Sequence, residues 1–164
     1  MCWPRAMRGL VTALGLLLRV LVHAADLQGT VVGVHDGDSI TVLVDQGQLK
    51  VRLADIDAPE LKQAFGQRSK QSLSDLCLHK AATIQEQGRD RYGRTIARVT
   101  CAGEDANREQ VRRGMAWVFD RYVKDRSLYV EQSAAQAAAR GLWADPKTMP
   151  PWAWRRAKRS SEVQ

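Results

Sequence analysis

Apolar and polar positions alternate over short runs in the first half of the chain and recur at helical spacing in the second. Leu27 to Val34 is short, apolar and β-branched, which predicts a strand. Ser39 to Val44 sets Ile40, Val42 and Val44 against Thr41 and Leu43, a second strand. Asp45-Gln46-Gly47-Gln48 then reads as a hairpin turn into a third strand, Leu49 to Leu53. Ala82 to Glu86 and Thr95 to Cys101 read as strands four and five, on either side of the Gly88–Gly93 loop. Between the third and fourth strands, Gly66 to Leu78 places Leu73, Leu76 and Cys77 on one side of a helix. Asn107 is expected to cap a second helix running to Arg113, with Gly114 ending it. Leu128 to Arg140 is Ala-rich and helical up to Gly141. Pro150-Pro151-Trp152-Ala153-Trp154-Arg155-Arg156 does not look helical at its start.

This order predicts an α+β, mainly β protein: a five-stranded OB-type Greek-key barrel with about three helices. Such barrels bind oligonucleotides often enough to raise that prior, but fold alone does not give function.

The N-terminal segment does not belong to this pattern. Arg5 and Arg8 precede an apolar run, Leu10 to Val22, interrupted by Thr12 and Arg19 and followed by Val22-His23-Ala24. This has the layout of a secretory signal peptide cleaved after Ala24 or Ala25. The run is also short of the roughly 20 residues that span a bilayer. The expected organisation is a signal peptide at 1–24, a folded domain at 25–145 and a basic Trp/Arg-rich tail at 146–164, in a protein that is periplasmic or secreted. Residues 1–24 hold three arginines and no acid, so their removal lowers the formal charge from +7 to +4. A mildly basic balance favours polyanions without proving them. Export also makes a Cys77–Cys101 disulfide the first expectation, with two buried free thiols as the alternative.

The candidate chemistry lies in three loops. Asp36-Gly37-Asp38-Ser39 and Asp57-Ala58-Pro59-Glu60 bring carboxylates to strand ends, and oxygen ligands of that kind suit a hard cation such as calcium. Arg52, among apolar neighbours, and Arg94, after Asp90-Arg91-Tyr92-Gly93, offer two forks for phosphate oxygens. Taken singly, each feature has a structural reading. Asp-Gly pairs make turns, Asp-Ala-Pro-Glu can start a helix, and each arginine can be an internal ion pair. Together they offer what a metal-dependent phosphodiesterase needs, because fixed cations stabilise the spread of negative charge in a phosphoryl transition state.

With those motifs in their order and spacing, the chain resembles the staphylococcal (thermo)nuclease family from about Val31 to Trp143. The resemblance implies a secreted nuclease using one Ca2+ ion to hydrolyse DNA and RNA and leave 3′-phosphate ends. It implies that Asp38, Asp57 and the Ala58 carbonyl hold calcium, that Glu60 is the general base, and that Arg52 and Arg94 clamp the phosphate. Arg91, Tyr92 and Tyr122 match positions that contact bound nucleotide. A monomer without a stable protein partner or membrane contact is expected. The chain departs from the family's type member at Ala58, where that protein has Thr, and at Asp120, where it has a second pocket Tyr. The loop after Glu60 is shorter, and Cys77 and Cys101 are absent from the type member. An OB-fold single-stranded nucleic-acid-binding module without catalysis is the alternative reading.

Overall fold

The structure, a computed structural model, describes residues 26–45 and 47–162, so the expected signal segment lies outside it. Three strands open the fold: β1 (Leu27–Val34), β2 (Ser39–Val44) and β3 (Gly47–Leu53). A two-residue β4 (Ile56–Asp57) and helix α1 (Gly66–Cys77) follow, then β5 (Ala81–Arg89) and β6 (Thr95–Cys101). The second half holds β7 (Glu104–Asp105), α2 (Ala106–Arg112), β8 (Trp117–Val118), α3 (Leu128–Ala137), a 3-10 turn (Gly141–Ala144) and α4 (Pro151–Ser161).

Antiparallel pairing runs β3-β2-β1-β5-β6, with β7 beside β6. The sheet closes because β3 also pairs with β6 in parallel, Val51 opposite Thr95 and Leu53 opposite Ala97. The expected five-stranded OB-type barrel is therefore present, with four helices instead of about three. Alternation follows closure: Thr95, Ala97, Val99 and Cys101 of β6 point inward and are buried, with Val31, Ile40, Val42, Val51, Leu53 and Ile84 facing them. Leu43 is left exposed on the outer face. The chain's short β-branched runs suit this pleated, half-buried surface.

Three expectations are corrected. Asn107 is not a cap: the N-cap of α2 is Asp105, whose carboxylate accepts from the Arg108 backbone N–H. Asn107 is buried and bridges to the barrel instead. Its Oδ1 accepts from the Val99 N–H at 2.9 Å, and its Nδ2 donates to the carbonyls of Ala54 and Ala97 at 2.8 and 3.3 Å. Helix α3 stops at Ala137, ahead of Gly141, which opens the 3-10 turn. The tail forms a helix from its first proline pair. Pro150 is the N-cap and Pro151 the first helical residue, where its missing N–H has no helical partner to lose. Trp152 anchors this helix by stacking on Phe119, ring centroids 5.4 Å apart, with its edge toward Trp117. Cys77, at the end of α1, and Cys101, at the end of β6, are disulfide-bonded with Cα atoms 5.2 Å apart.

Candidate active site

Strand β3 carries Arg52 to one mouth of the barrel, and the two acidic loops close around it. Its Nη1 donates to Asp38 Oδ1 at 2.5 Å and its Nη2 to Asp57 Oδ1 at 2.9 Å. A longer bond reaches the Ile56 carbonyl at 3.3 Å. A guanidinium has five N–H donors. The Nε–H and one Nη1–H therefore have no protein acceptor among the described residues. Both carboxylates are buried, Asp57 completely. Asp38 Oδ2 accepts from the Ala58 N–H at 2.7 Å, which holds residue 58 against it.

Close approach of backbone to α1 fixes the first acidic loop. A Cβ on Gly37 would lie 1.8 Å from Ser69 Oγ, so only glycine lets the turn sit there. The buried Gln110 of α2 ties the same turn down, its Nε2 donating to the Gly37 carbonyl at 2.7 Å and the Ser69 carbonyl at 3.1 Å. Sequence reading did not single out Gln110. A polar residue on a seven-residue helix gives no sign that it is buried.

Arg94 joins the cluster through a hydroxyl. Its Nε donates to Asp90 Oδ2 at 2.7 Å and its Nη1 to Ser39 Oγ at 3.1 Å; Ser39 Oγ in turn donates to Asp38 Oδ1. Asp90 also accepts from the backbone N–H groups of Tyr92 and Arg94, which shapes the loop. Three N–H donors of Arg94 are left without a protein acceptor among the described residues. Tyr92 is exposed, with the Arg91 guanidinium 4.7 Å from its ring centroid and that of Arg94 at 5.8 Å. The structure thus brings Arg52, Asp38, Asp57, Ala58 and Arg94 into one connected site, with Arg91 and Tyr92 on its rim. Tyr122 is exposed and packs at an angle against Phe119, with no hydrogen bond to the carboxylates among the described residues. Asp120, the substituted pocket position, accepts a hydrogen bond from the Tyr129 hydroxyl at 2.6 Å.

Glu60 is held by a residue that sequence reading left in the tail. Arg155 of α4 donates from Nη1 to Glu60 Oε1 at 2.8 Å and to Asp57 Oδ1 at 3.2 Å, and from Nη2 to Asp57 Oδ2 at 2.6 Å. Pro-Pro followed by Trp-x-Trp was the available signal: a helix start with an aromatic anchor, which fixes where the next arginine points.

Burial dominates the electrostatics of the cluster. Burial pushes the Asp38 carboxyl up, to about 8, with Arg52 pulling it back and Asp36 and Asp57 adding to the rise. Burial disfavours the charge on Arg52, yet Asp38 and Asp57 hold it protonated above its ordinary value. Among the described residues no three His, Cys, Asp or Glu side chains form a metal-binding group. The residues present still fit a hard cation. The donors are all oxygens: two buried carboxylates, with the Ala58 N–H bonded to one of them.

Comparison with known proteins agrees with this geometry. The family model described as "Staphylococcal nuclease homologue" matches residues 50–145. The chain is 40% identical to a micrococcal nuclease of Shigella flexneri, over 95% of both chains. It is 43% identical to an uncharacterized endonuclease of Haemophilus influenzae, over 92% of this chain and 86% of the other. Protein ParB of Escherichia coli is 40% identical over 92% of both. With more than half of the chain inside the family model and relatives at this identity along nearly all of it, the chain belongs to the staphylococcal nuclease family.

Proposed function

We propose that this protein is an exported, calcium-dependent endonuclease that hydrolyses phosphodiester bonds of DNA and RNA and leaves 3′-phosphate ends. The observation that carries the reading is the convergence of Arg52 and, through Ser39, Arg94 on the paired carboxylates Asp38 and Asp57. Family membership supplies the substrate class, nucleic acid. The signal-like segment at 1–24 supports export, and the oxygen-only donor set supports calcium.

Asp38, Asp57 and the carbonyl of Ala58 would hold the cation, which when bound polarises the phosphate and lowers the cost of deprotonating water. The remaining N–H donors of Arg52 and Arg94 bind the scissile phosphate from two sides and stabilise the charge that grows on its oxygens. Glu60 accepts the proton of the attacking water on a carboxylate oxygen. The new bond forms from water oxygen to phosphorus, and the bond from phosphorus to the 5′ oxygen breaks, that oxygen leaving as a hydroxyl with a proton from solvent. The exposed Tyr92, braced by Arg91, offers a ring for the neighbouring base.

The test compares the mature protein, residues 25–164, with Glu60→Gln on heat-denatured DNA in calcium and in EGTA. Calcium-dependent cleavage that collapses in the variant is expected, with 3′-phosphate termini on the products. Tight binding without cleavage under any divalent metal would replace the reading with a nucleic-acid-binding module.

A further inference from the structure

Arg155 lies outside the segment that matches the family model, yet it makes three hydrogen bonds to the two acidic residues that the proposed mechanism needs most. We propose that Arg155 is a third active-site arginine, delivered by the C-terminal helix to bind the substrate's phosphate, and that the functional domain therefore runs to the end of α4. The proposal rests on the nuclease reading and names a further substrate-binding residue for it.

Placement is the first argument. Arg52 Nη2 and Arg155 Nη1 donate to the same oxygen, Asp57 Oδ1, at 2.9 and 3.2 Å. The two guanidinium nitrogens are therefore no farther apart than those two bonds together, within reach of one phosphate group. Arg155 keeps two N–H donors, on Nε and Nη2, without a protein acceptor among the described residues. About a third of its side chain is exposed. It borders a cleft of about 550 Å³ lined by the cations Lys62, Lys158 and Arg159 and by the acids Asp36, Glu60 and Glu162, so it is reachable from solvent.

Rigidity is the second argument. Long arginine side chains lose much rotamer freedom when fixed. Here the stacking of Trp152 on Phe119 sets the helix before substrate arrives, and the bond from Gln63 Nε2 to the Met149 carbonyl secures the turn leading into it. A free tail carrying the same arginine would not point it at Asp57.

Charge supplies the third argument. Asp36, Asp38, Asp57 and Glu60 carry four negative charges when ionised, and Arg52 and Arg155 two positive ones. Arg94 is matched by Asp90. With a divalent cation bound, the cluster is then neutral. Without Arg155 the loaded cluster keeps one net negative charge, which repels an incoming phosphodiester.

The experiment compares Arg155→Met, Arg155→Lys and Arg156→Met in the mature protein. Steady-state cleavage is measured in calcium. Binding of a labelled single-stranded oligonucleotide is measured at a series of salt concentrations in the Glu60→Gln background, which keeps an acceptor for Arg155. Arg155→Met is expected to lower kcat/KM about 10²–10³-fold, as for loss of one fixed transition-state donor. It should also flatten the slope of log K against log salt by about 0.7, the value for one single-strand phosphate contact. Arg155→Lys should keep the slope and recover only part of kcat/KM, because lysine lacks the fork. Arg156→Met, which removes the same charge one residue along, should leave kcat/KM unchanged.

Three results would overturn the proposal. An unchanged salt slope with only a lower Tm makes Arg155 an internal ion pair. Tighter calcium binding with faster cleavage in Arg155→Met makes it a competitor for the carboxylates. Equal losses in Arg155→Met and Arg156→Met make the effect one of general charge. If the parent protein does not cleave at all, the nuclease reading fails, while the salt slope still decides whether Arg155 contacts phosphate.

Discussion

Replacing Asn107 by alanine removes three hydrogen bonds at once, and their partners differ in what they have left. The Ala97 carbonyl still accepts from the Ala54 N–H at 2.8 Å, so it is not orphaned. Outside the strand ladders, the Val99 N–H and the Ala54 carbonyl have no other partner among the described residues. Both belong to buried residues, Val99 in β6 and Ala54 in the turn after β3, where water does not replace the lost amide. Each buried group left unpaired costs about 1–3 kcal/mol, so the substitution should destabilise by about 2–6 kcal/mol. That is a large share of a typical domain stability of about 5–15 kcal/mol. Denaturant unfolding followed by tryptophan fluorescence should show a lower midpoint with an unchanged slope, since the exposed area on unfolding is the same. Asn107→Asp should also destabilise, because an ionised carboxylate accepts from Val99 but cannot donate to Ala54. A loss below about 1 kcal/mol in the alanine variant would refute the reasoning, since one orphaned group alone exceeds that.

Arg52→Lys should lower kcat/KM about 10²–10³-fold despite keeping the charge, because one ammonium cannot bridge Asp38 and Asp57 and still reach phosphate; full activity would remove Arg52 from the site. Replacing Cys77 and Cys101 by serine should cost about 3 kcal/mol in the chain-entropy model of a disulfide, read as a lower unfolding midpoint that dithiothreitol reproduces only in the parent protein. Gly37→Ala should push the acidic turn away from α1 and weaken calcium binding, read calorimetrically, since its Cβ would collide with Ser69. The Glu109 carboxylate is held below its ordinary value by hydrogen bonds from Arg112 and Arg113 against the cost of burial. Its contribution is therefore present above the unfolded value of about 4.3 and lost as pH falls through the folded one. Glu109→Gln should lower Tm slightly at neutral pH and make no difference once both forms are protonated.

The barrel was readable because its signals are local. Period-two patterning in β6, turn residues between strands and the glycine after α2 each act over a few residues, and structure followed them closely. The three candidate loops were readable because acids and arginines at strand ends have few uses in combination. Asn107 and Gln110 were misjudged or passed over because their partners lie far off in sequence, and only packing brings Val99 or Gly37 to them. The tail was misread for a related reason. A Pro-Pro pair looks like a break until the second proline is placed at a helix start, and only the fold puts Phe119 beneath Trp152. By itself, then, the sequence determined the main strands and which loops hold the candidate residues, since those follow from side-chain type and short-range geometry. Only the tertiary structure decided that Arg155 faces Asp57 and Glu60, because that contact spans more than 90 residues and depends on where an aromatic cluster seats the last helix.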